Sequence, residues 1–458
     1  MSSTIKQNKY EIDMCNGTIM DKLISFSLPL MLSGILQLMF NAVDIIVVGR
    51  FSGSQALAAV GSTTALINVF TNLFIGISLG ANVLAARFYA AGKDKEMSET
   101  VHTAITLALI SGIIMAFVGL ICAKPALALM DTPDDVIDLS SVYMRIYFLG
   151  MPFFMLYNYG AAILRAVGDT KRPLLFLVIS GIANTGLNLC FVIIFKLGVA
   201  GVAIGTVISQ LISCVLVLRC LYMSETSYQL RFSKLTIKGA YVKQIFSVGV
   251  PAGIQSTVIN FSNVLLQSSV NSFGSVAMAG YTAANKLYGI LESASVAFGY
   301  AMTAYMGQNR GARNAARIDA GIRAVLVLSA EFTVAIVTAM LLAGKPLLGL
   351  FLSTEEAGAA DALAVAYQYL MVLMAFLFAL FMLQAYRSSL QGLGEMTVPT
   401  ISGFAEMLMR MGAALVLPTF IGQSGVFFAE GAAWVCAAAL NLVWYYIRIG
   451  KIKRDMLK

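Results

Sequence analysis

Apolar stretches of twenty residues or more follow one another along this chain, separated by short polar breaks. Twelve can be read, near 23–48, 56–86, 101–123, 136–164, 173–195, 199–220, 244–272, 277–306, 320–343, 361–389, 398–421 and 426–448. A helix needs about 20 apolar residues to cross the hydrocarbon of a bilayer. No water is there to take a backbone hydrogen bond, so only helices and closed barrels cross it. Barrel strands are about half as long and alternate polar with apolar residues, which leaves helices. Of the 458 residues, 59% are hydrophobic and 12% charged, against roughly 25% charged in soluble domains. The pattern predicts an all-α polytopic membrane protein with twelve transmembrane helices. It excludes a soluble globular protein and a disordered one.

The net charge of +8 invites a nucleic-acid reading, but the placement of the charge argues for membrane orientation instead. Of 31 Lys and Arg residues, 24 fall in alternate breaks, Arg387 among them. The other breaks hold only Arg50, Lys124, Lys196 and Lys345, while Arg145, Lys286 and Arg410 lie within the runs. Lys and Arg collect on the cytoplasmic side. Both termini are therefore expected in the cytoplasm, and no nucleic-acid partner is expected. The first twenty or so residues are polar, so no cleaved leader is read there.

The chain repeats itself once. Pro29 answers Pro251, Gly80 and Gly92 answer Gly299 and Gly311, L-R-A-V-G-D-T-K-R-P at 164–173 answers L-Q-G-L-G-E-M-T-V-P at 390–399, and G-V-A-G-V at 198–202 answers G-Q-S-G-V at 422–426. Six spans per unit make the repeats parallel, related by a pseudo-two-fold axis along the membrane normal. A substrate site is expected between such halves. The expected organisation is a cytoplasmic segment 1–22, a first lobe 23–220, a basic cytoplasmic linker 221–243, a second lobe 244–448 and a cytoplasmic tail 449–458. Matching prolines in the first helix of each repeat would free the carbonyls of Ser25 and Ser247 and kink both helices.

No nucleotide, nucleophile or metalloprotease motif occurs, so no enzyme and no cofactor are expected. Six cysteines form no C-x-x-C pair, and His102 is the only histidine. They read as apolar side chains and an interfacial polar residue, not as a zinc site or disulfide framework.

Polar groups inside the spans cost the most on insertion and are the main clues. Gln37, Asn41 and Asp44 are spaced i, i+4, i+7 and share one helix face. Asp44 on that stripe suits a proton or sodium site, or a structural carboxylate. Asn184 and Asn188 make a polar ledge on the fifth span and could line the same cavity or simply bond between helices. Glu292 lies mid-span, six residues after Lys286, and needs a partner from another helix or water. Glu331 is mid-span without a local partner. Glu406 and Arg410, at i, i+4, read as a structural charge pair. Gly76 with Gly80 and Gly201 with Gly205 read as close-packing contacts.

The run Q-L-M-F-N-A-V-D-I-I-V-V-G-R-F-S-G (37–53) resembles the first hallmark of multidrug and toxic compound extrusion (MATE) transporters. So do A-L-A-A-V-G (56–61), G-A-N-V-L-A-A-R-F-Y-A-A-G (80–92), the 164–173 segment, G-V-A-G-V-A-I-G-T-V-I-S-Q (198–210) and G-Q-N-R-G-A (307–312). The resemblance covers about 20–450, in order. It implies twelve helices in two V-shaped six-helix lobes. It also implies a monomer in the cell membrane that exports small amphipathic, often cationic compounds by antiport with protons or sodium ions. The family's first-helix acid maps onto Asp44. Asn184 matches the family's fifth-helix asparagine, but Asn188 stands where an acid often follows. The seventh-helix acid of sodium-coupled members is not found in P-A-G-I-Q-S-T-V-I-N (251–260). The alternative is a flippase for a lipid-linked saccharide from the same broader superfamily. An anionic cargo would favour a basic cavity, whereas five acids (Asp44, Glu292, Glu331, Glu406, Glu430) face three bases within the spans.

Overall fold

A computed structural model of the chain describes residues 9–130, 132–352 and 358–457. Residues 1–8 of the expected N-terminal segment, and Lys458 of the expected tail, lie outside the described residues. The described residues are helical with no strand. The helices are α1 (Ile19–Phe51), α2 (Ser54–Ala90), α3 (Asp94–Ala128), α4 (Asp134–Leu149), α5 (Met151–Ala166), α6 (Lys171–Leu189) and α7 (Gly198–Tyr222). They continue as α8 (Gly239–Asn271), α9 (Ser275–Gly311), α10 (Ala315–Gly349), α11 (Ala359–Gly392), α12 (Thr397–Val416), the single turn α13 (Pro418–Ile421) and α14 (Ser424–Leu457).

Every expected apolar run is occupied by helix. The fourth run is broken at Gly150, where α4 and α5 meet at 47°. The fifth ends in a π-helical turn, Cys190–Ile194. Among the described residues nine helices, or ten if the bent pair is one span, are long and apolar enough to cross a membrane. The two runs that fall short, α8 and α9, carry many polar side chains, among them Gln255, Asn260, Asn263, Asn285 and Glu292. Helix reaches past the expected ends of the spans: α8 begins inside the expected linker, and α14 runs through most of the expected tail.

The repeat is visible in the backbone. Helices α1 and α8 both have 33 residues, α2 and α9 both 37, and α3 and α10 both 35. The same left-handed corners recur: Gly53 (φ 89°) with Gly274 (φ 92°), Gly168 (φ 90°) with Gly394 (φ 73°), and Gly198 (φ 55°) with Gly422 (φ 62°). At Gly168 a side chain is also excluded by space, because a Cβ there would lie 2.3 Å from the Ile12 carbonyl oxygen. The following Asp169 accepts the backbone N–H of Arg172 at 3.1 Å and pairs with its guanidinium, capping the start of α6. Its repeat counterpart, Glu395, pairs with Arg448 at 2.8 Å.

The chain divides into two compact units. The first holds the described residues up to Asp13 together with Leu32–Gly253, and the second holds Met14–Met31 together with the described residues from Ile254 on. Each unit thus contains the opening stretch of a helix whose remainder belongs to the other. The changeovers follow Pro29 and Pro251 by two residues each, and α1 and α8 run through both prolines as continuous helix.

In the first unit, the early turns of α8 lie backbone to backbone on α2. A Cβ on Gly76 would sit 2.2 Å from Gly253 Cα, and one on Gly80 would sit 2.1 Å from the Ile245 carbonyl oxygen. The spacing read from the sequence as close packing is therefore a place where no side chain fits. In the second unit, the G-Q-N-R-G-A motif holds the segment before α1. Gln308 Oε1 accepts the Met14 N–H at 3.0 Å, and Asn309 Nδ2 donates to the Met14 carbonyl at 3.1 Å. All six cysteines are free; Cys214 is buried and Cys122 exposed.

Candidate functional site

In the first unit, Asp44 projects from α1 toward α6. Asn188 Nδ2 donates to Asp44 Oδ1 at 2.6 Å. The same Nδ2 lies 3.3 Å from Asn184 Oδ1, one turn earlier on α6. Asn184 Nδ2 reaches Thr206 Oγ1 on α7 at 3.5 Å, and that hydroxyl donates to the Val202 carbonyl at 3.0 Å. One acid, two amides and a hydroxyl thus form a chain across three helices. Asn184 and Asn188 are buried and Asp44 is half-buried. Phe40, one turn before Asp44, fixes α1 on α6: its ring occupies the place a side chain on Gly181 would take, 1.9 Å from a Cβ there.

One atom of the chain is left over. Asn188 Oδ1 is buried and accepts no hydrogen bond. A buried acceptor without a donor costs about 1–3 kcal/mol. It lies over Gly205 of α7, 2.2 Å from where a Cβ would be. Gly205, which the sequence placed in a packing motif, is therefore what leaves room for the Asn188 amide. Gly205→Ala should turn Asn188 out of line and cut export several-fold at a cost of about 1–2 kcal/mol. Gly186→Ala on α6, where a Cβ meets nothing within 4 Å, should change neither transport in vesicles nor thermal stability. Equal behaviour of the two variants would show that the amide has no fixed place.

Gln37 and Asn41 lie on the Asp44 side of α1, but both are exposed and neither hydrogen-bonds another described side chain. The geometry does not join them to the chain of amides. Thr206 and Gly205 are the members that sequence reasoning missed.

The other candidates belong to the second unit. Glu406 and Arg410 pair on α12 at 3.0 Å. A second cation joins them: Arg387 Nη2 lies 2.5 Å from Glu406 Oε2. Arg387, counted from the sequence with the cytoplasmic breaks, is a buried residue of α11, five residues before its end. Arg410 also donates to Ser262 Oγ and, at 2.7 Å, to Asn263 Oδ1 on α8. Glu430 of α14 and half-buried Glu292 of α9 lie within electrostatic reach of Arg410. Glu430 Oε2 is buried without a partner. Stacked rings, Tyr281 on Tyr369 at 4.8 Å and Tyr288 on Trp434 at 5.6 Å, stand beside the two acids. Three acids here face two arginines. Glu331 and Lys286 are exposed and take no part. His102 is buried, with both ring nitrogens on backbone groups.

Among the described residues no three His, Cys, Asp or Glu side chains converge on a point that could hold a metal ion. Sodium prefers oxygen ligands, as hard cations do. Asp44 instead meets an amide N–H.

The sequence profile described as MatE matches this chain twice, at residues 29–192 and 251–416, once in each repeat. The chain belongs to the MatE family. It is 30% identical over 444 residues to "Probable multidrug resistance protein YoeA" of Bacillus subtilis, covering 94% of each chain. It is 23% identical over 442 residues to "Multidrug export protein MepA" of Staphylococcus aureus, covering 93% of each. Among solved structures, a MATE in its bent conformation matches with TM-score 0.90 at 21% identity, over 99% of this chain and all of that one. A MOP superfamily transporter from Pyrococcus furiosus, for which reverse polarity of the binding pocket suggests a different function, matches with TM-score 0.89 at 22% identity over 98% and 99%. These likenesses establish the fold, twelve helices in two repeats. This MatE protein is a multi-pass membrane transporter, and the family's members are not enzymes.

Proposed function

We propose that this chain exports small amphipathic, often cationic compounds across the cell membrane as a monomer, by antiport with protons, with both termini in the cytoplasm. The names carried by its relatives supply multidrug export; the Asp44–Asn188–Asn184 chain supplies the coupling. In the ionised state Asp44 accepts from Asn188 Nδ2. A proton on Asp44 turns the carboxyl into a donor. The acceptor waiting for it is Asn188 Oδ1, now without a partner. Turning the amide to meet it withdraws the donor from Asn184 Oδ1 and loosens the link toward Thr206. One proton thereby re-addresses bonds on α1, α6 and α7. Antiport needs only that proton and substrate favour different states. The acids of the second unit, Glu292 foremost, can carry a further proton, since the cluster is neutral with one acid protonated.

The single observation that carries this reading is the buried donor–acceptor amide against one acid. The reading of the chain as a flippase for a lipid-linked saccharide would need a basic ledge for pyrophosphate, and the ledge's only charge is Asp44. Dye export from everted vesicles, with a pH or a sodium gradient imposed separately, tests the proposal. Export should follow the pH gradient alone. Export that follows sodium alone would replace the proton by sodium at Asp44, and export indifferent to both would overturn the antiport reading.

A further inference from the structure

Between the repeats the chain forms a hook at the end of α7. Helix α7 has 25 residues, about 37 Å at 1.5 Å per residue, against a hydrocarbon core of about 30 Å. Its last turn therefore emerges among the lipid headgroups, on the side that the basic residues assign to the cytoplasm. The hook is pinned there. Leu230 N–H donates to the Leu221 carbonyl at 3.0 Å, and Gln229 Nε2 donates to the Tyr222 carbonyl at 3.2 Å. Tyr228 donates to Glu11 at 2.6 Å, and the backbone N–H of Arg231 donates to His102 Nε2 at 3.0 Å.

What the pinned hook displays is not what a water-facing loop would show. Tyr222 stacks on Phe232 with ring centroids 5.8 Å apart, and both rings stay half-exposed at 52% and 54%. Met223 is 64% and Ile237 51% exposed. Around them stand Arg219, whose Nε lies 3.4 Å from Met223 Sδ, Arg231, which donates to Gln229, and Lys234. All three are exposed, and among the described residues none is ion-paired. Glu225, the acid of the hook, pairs with none of them. Lys238 is already taken by Glu99.

From this placement we infer that the hook is a lipid-binding foot: the Tyr222–Phe232 stack and Met223 enter the headgroup region, and Arg219, Arg231 and Lys234 hold the phosphates of anionic phospholipid. Aromatic rings with a polar edge favour that level of the membrane. Basic residues beside it are drawn to anionic lipid. Because the hook is held before any lipid arrives, little ordering entropy opposes binding. The occupant is the surrounding leaflet, since the foot is continuous with a spanning helix and its charge complements that surface.

Phe232→Trp places an emitter on the foot, read as the difference from the unsubstituted protein with its native Trp434 and Trp444. The protein is reconstituted in phosphatidylcholine vesicles containing a minority of brominated lipid, either phosphatidylglycerol or phosphatidylcholine. The foot should be quenched with at least about fivefold selectivity for the brominated anionic lipid. That selectivity should fall to about one in Arg219→Gln/Arg231→Gln/Lys234→Gln and at high salt. These side chains are exposed, so the triple variant should fold, and unchanged quenching by brominated phosphatidylcholine would show that it does. Equal quenching by both lipids in Phe232→Trp with Arg219, Arg231 and Lys234 intact would overturn the charge reading. No quenching by either would mean that the hook stands in water or is covered by protein, which overturns the proposal as well.

Discussion

Asp44→Asn should reduce gradient-driven export to the level of vesicles without the protein, while the protein still folds. Asparagine has the shape of aspartate and keeps an acceptor oxygen for Asn188 Nδ2, so the 2.6 Å contact between α1 and α6 has a substitute. What asparagine lacks is the ability to take up and release a proton. A ligand that no longer distinguishes two states shifts neither. Binding offers a second readout. If proton and substrate favour different states, each weakens the other by the same factor. Dye affinity of the unsubstituted protein in detergent should therefore fall as the pH falls, and that of Asp44→Asn should stay constant. Export surviving in Asp44→Asn would move coupling to the second unit, with Glu292→Gln the next variant to compare.

Glu406→Gln should be the most destabilising of the single changes considered. Glu406 bonds both Arg387 and Arg410, at 2.5 and 3.0 Å, and all three side chains are buried. Removing one member of a buried ionic network leaves the others uncompensated, at about 3–5 kcal/mol. Here two cations would remain, with Glu430 and Glu292 near only Arg410. The expected outcome is a large drop in the thermal midpoint in detergent and poor recovery of folded protein. Replacing only the Arg387 pair, Arg387→Met with Glu406→Leu, should recover much of the loss, because Arg410 keeps Glu430 and Glu292 while well-packed apolar groups substitute for a buried ion pair at little cost. A Glu406→Gln protein as stable as its parent would mean that the arginines are hydrated in solution.

The span pattern and the repeat were legible because each rests on a periodic signal in one dimension. Twelve apolar runs prescribe twelve crossings, and Gly168 with Gly394 or Gly198 with Gly422 mark corners that only a left-handed backbone can turn. The i, i+4 spacings of Asn184 with Asn188 and of Glu406 with Arg410 were legible for the same reason. What was not legible is each partner from another helix. Nothing local tells Asn188 that Asp44 is 2.6 Å away, or that Gly205 vacates the space for its carbonyl. Arg387 follows an apolar run and precedes S-S-L-Q-G, so it reads as a boundary residue, and its acid comes from α12. Gln37 and Asn41 show the converse: a shared helix face fixes direction but not partnership.

The exchange of opening stretches between the two units bears on how the chain is made. The first unit is incomplete until the early turns of α8 exist, and those emerge only after the rest of the repeat and the linker. At roughly 5–20 residues per second, the bare glycine face of α2 waits on the order of ten seconds or more for Ile245 and Gly253. The second unit has the opposite problem: its first piece, Met14–Met31, is synthesised before any of its other helices. Each half of the chain therefore supplies a segment to the other half's compact unit. A polypeptide cut at the linker would yield fragments that each carry a segment belonging to their sibling, and they would have to be inserted together to find a native state.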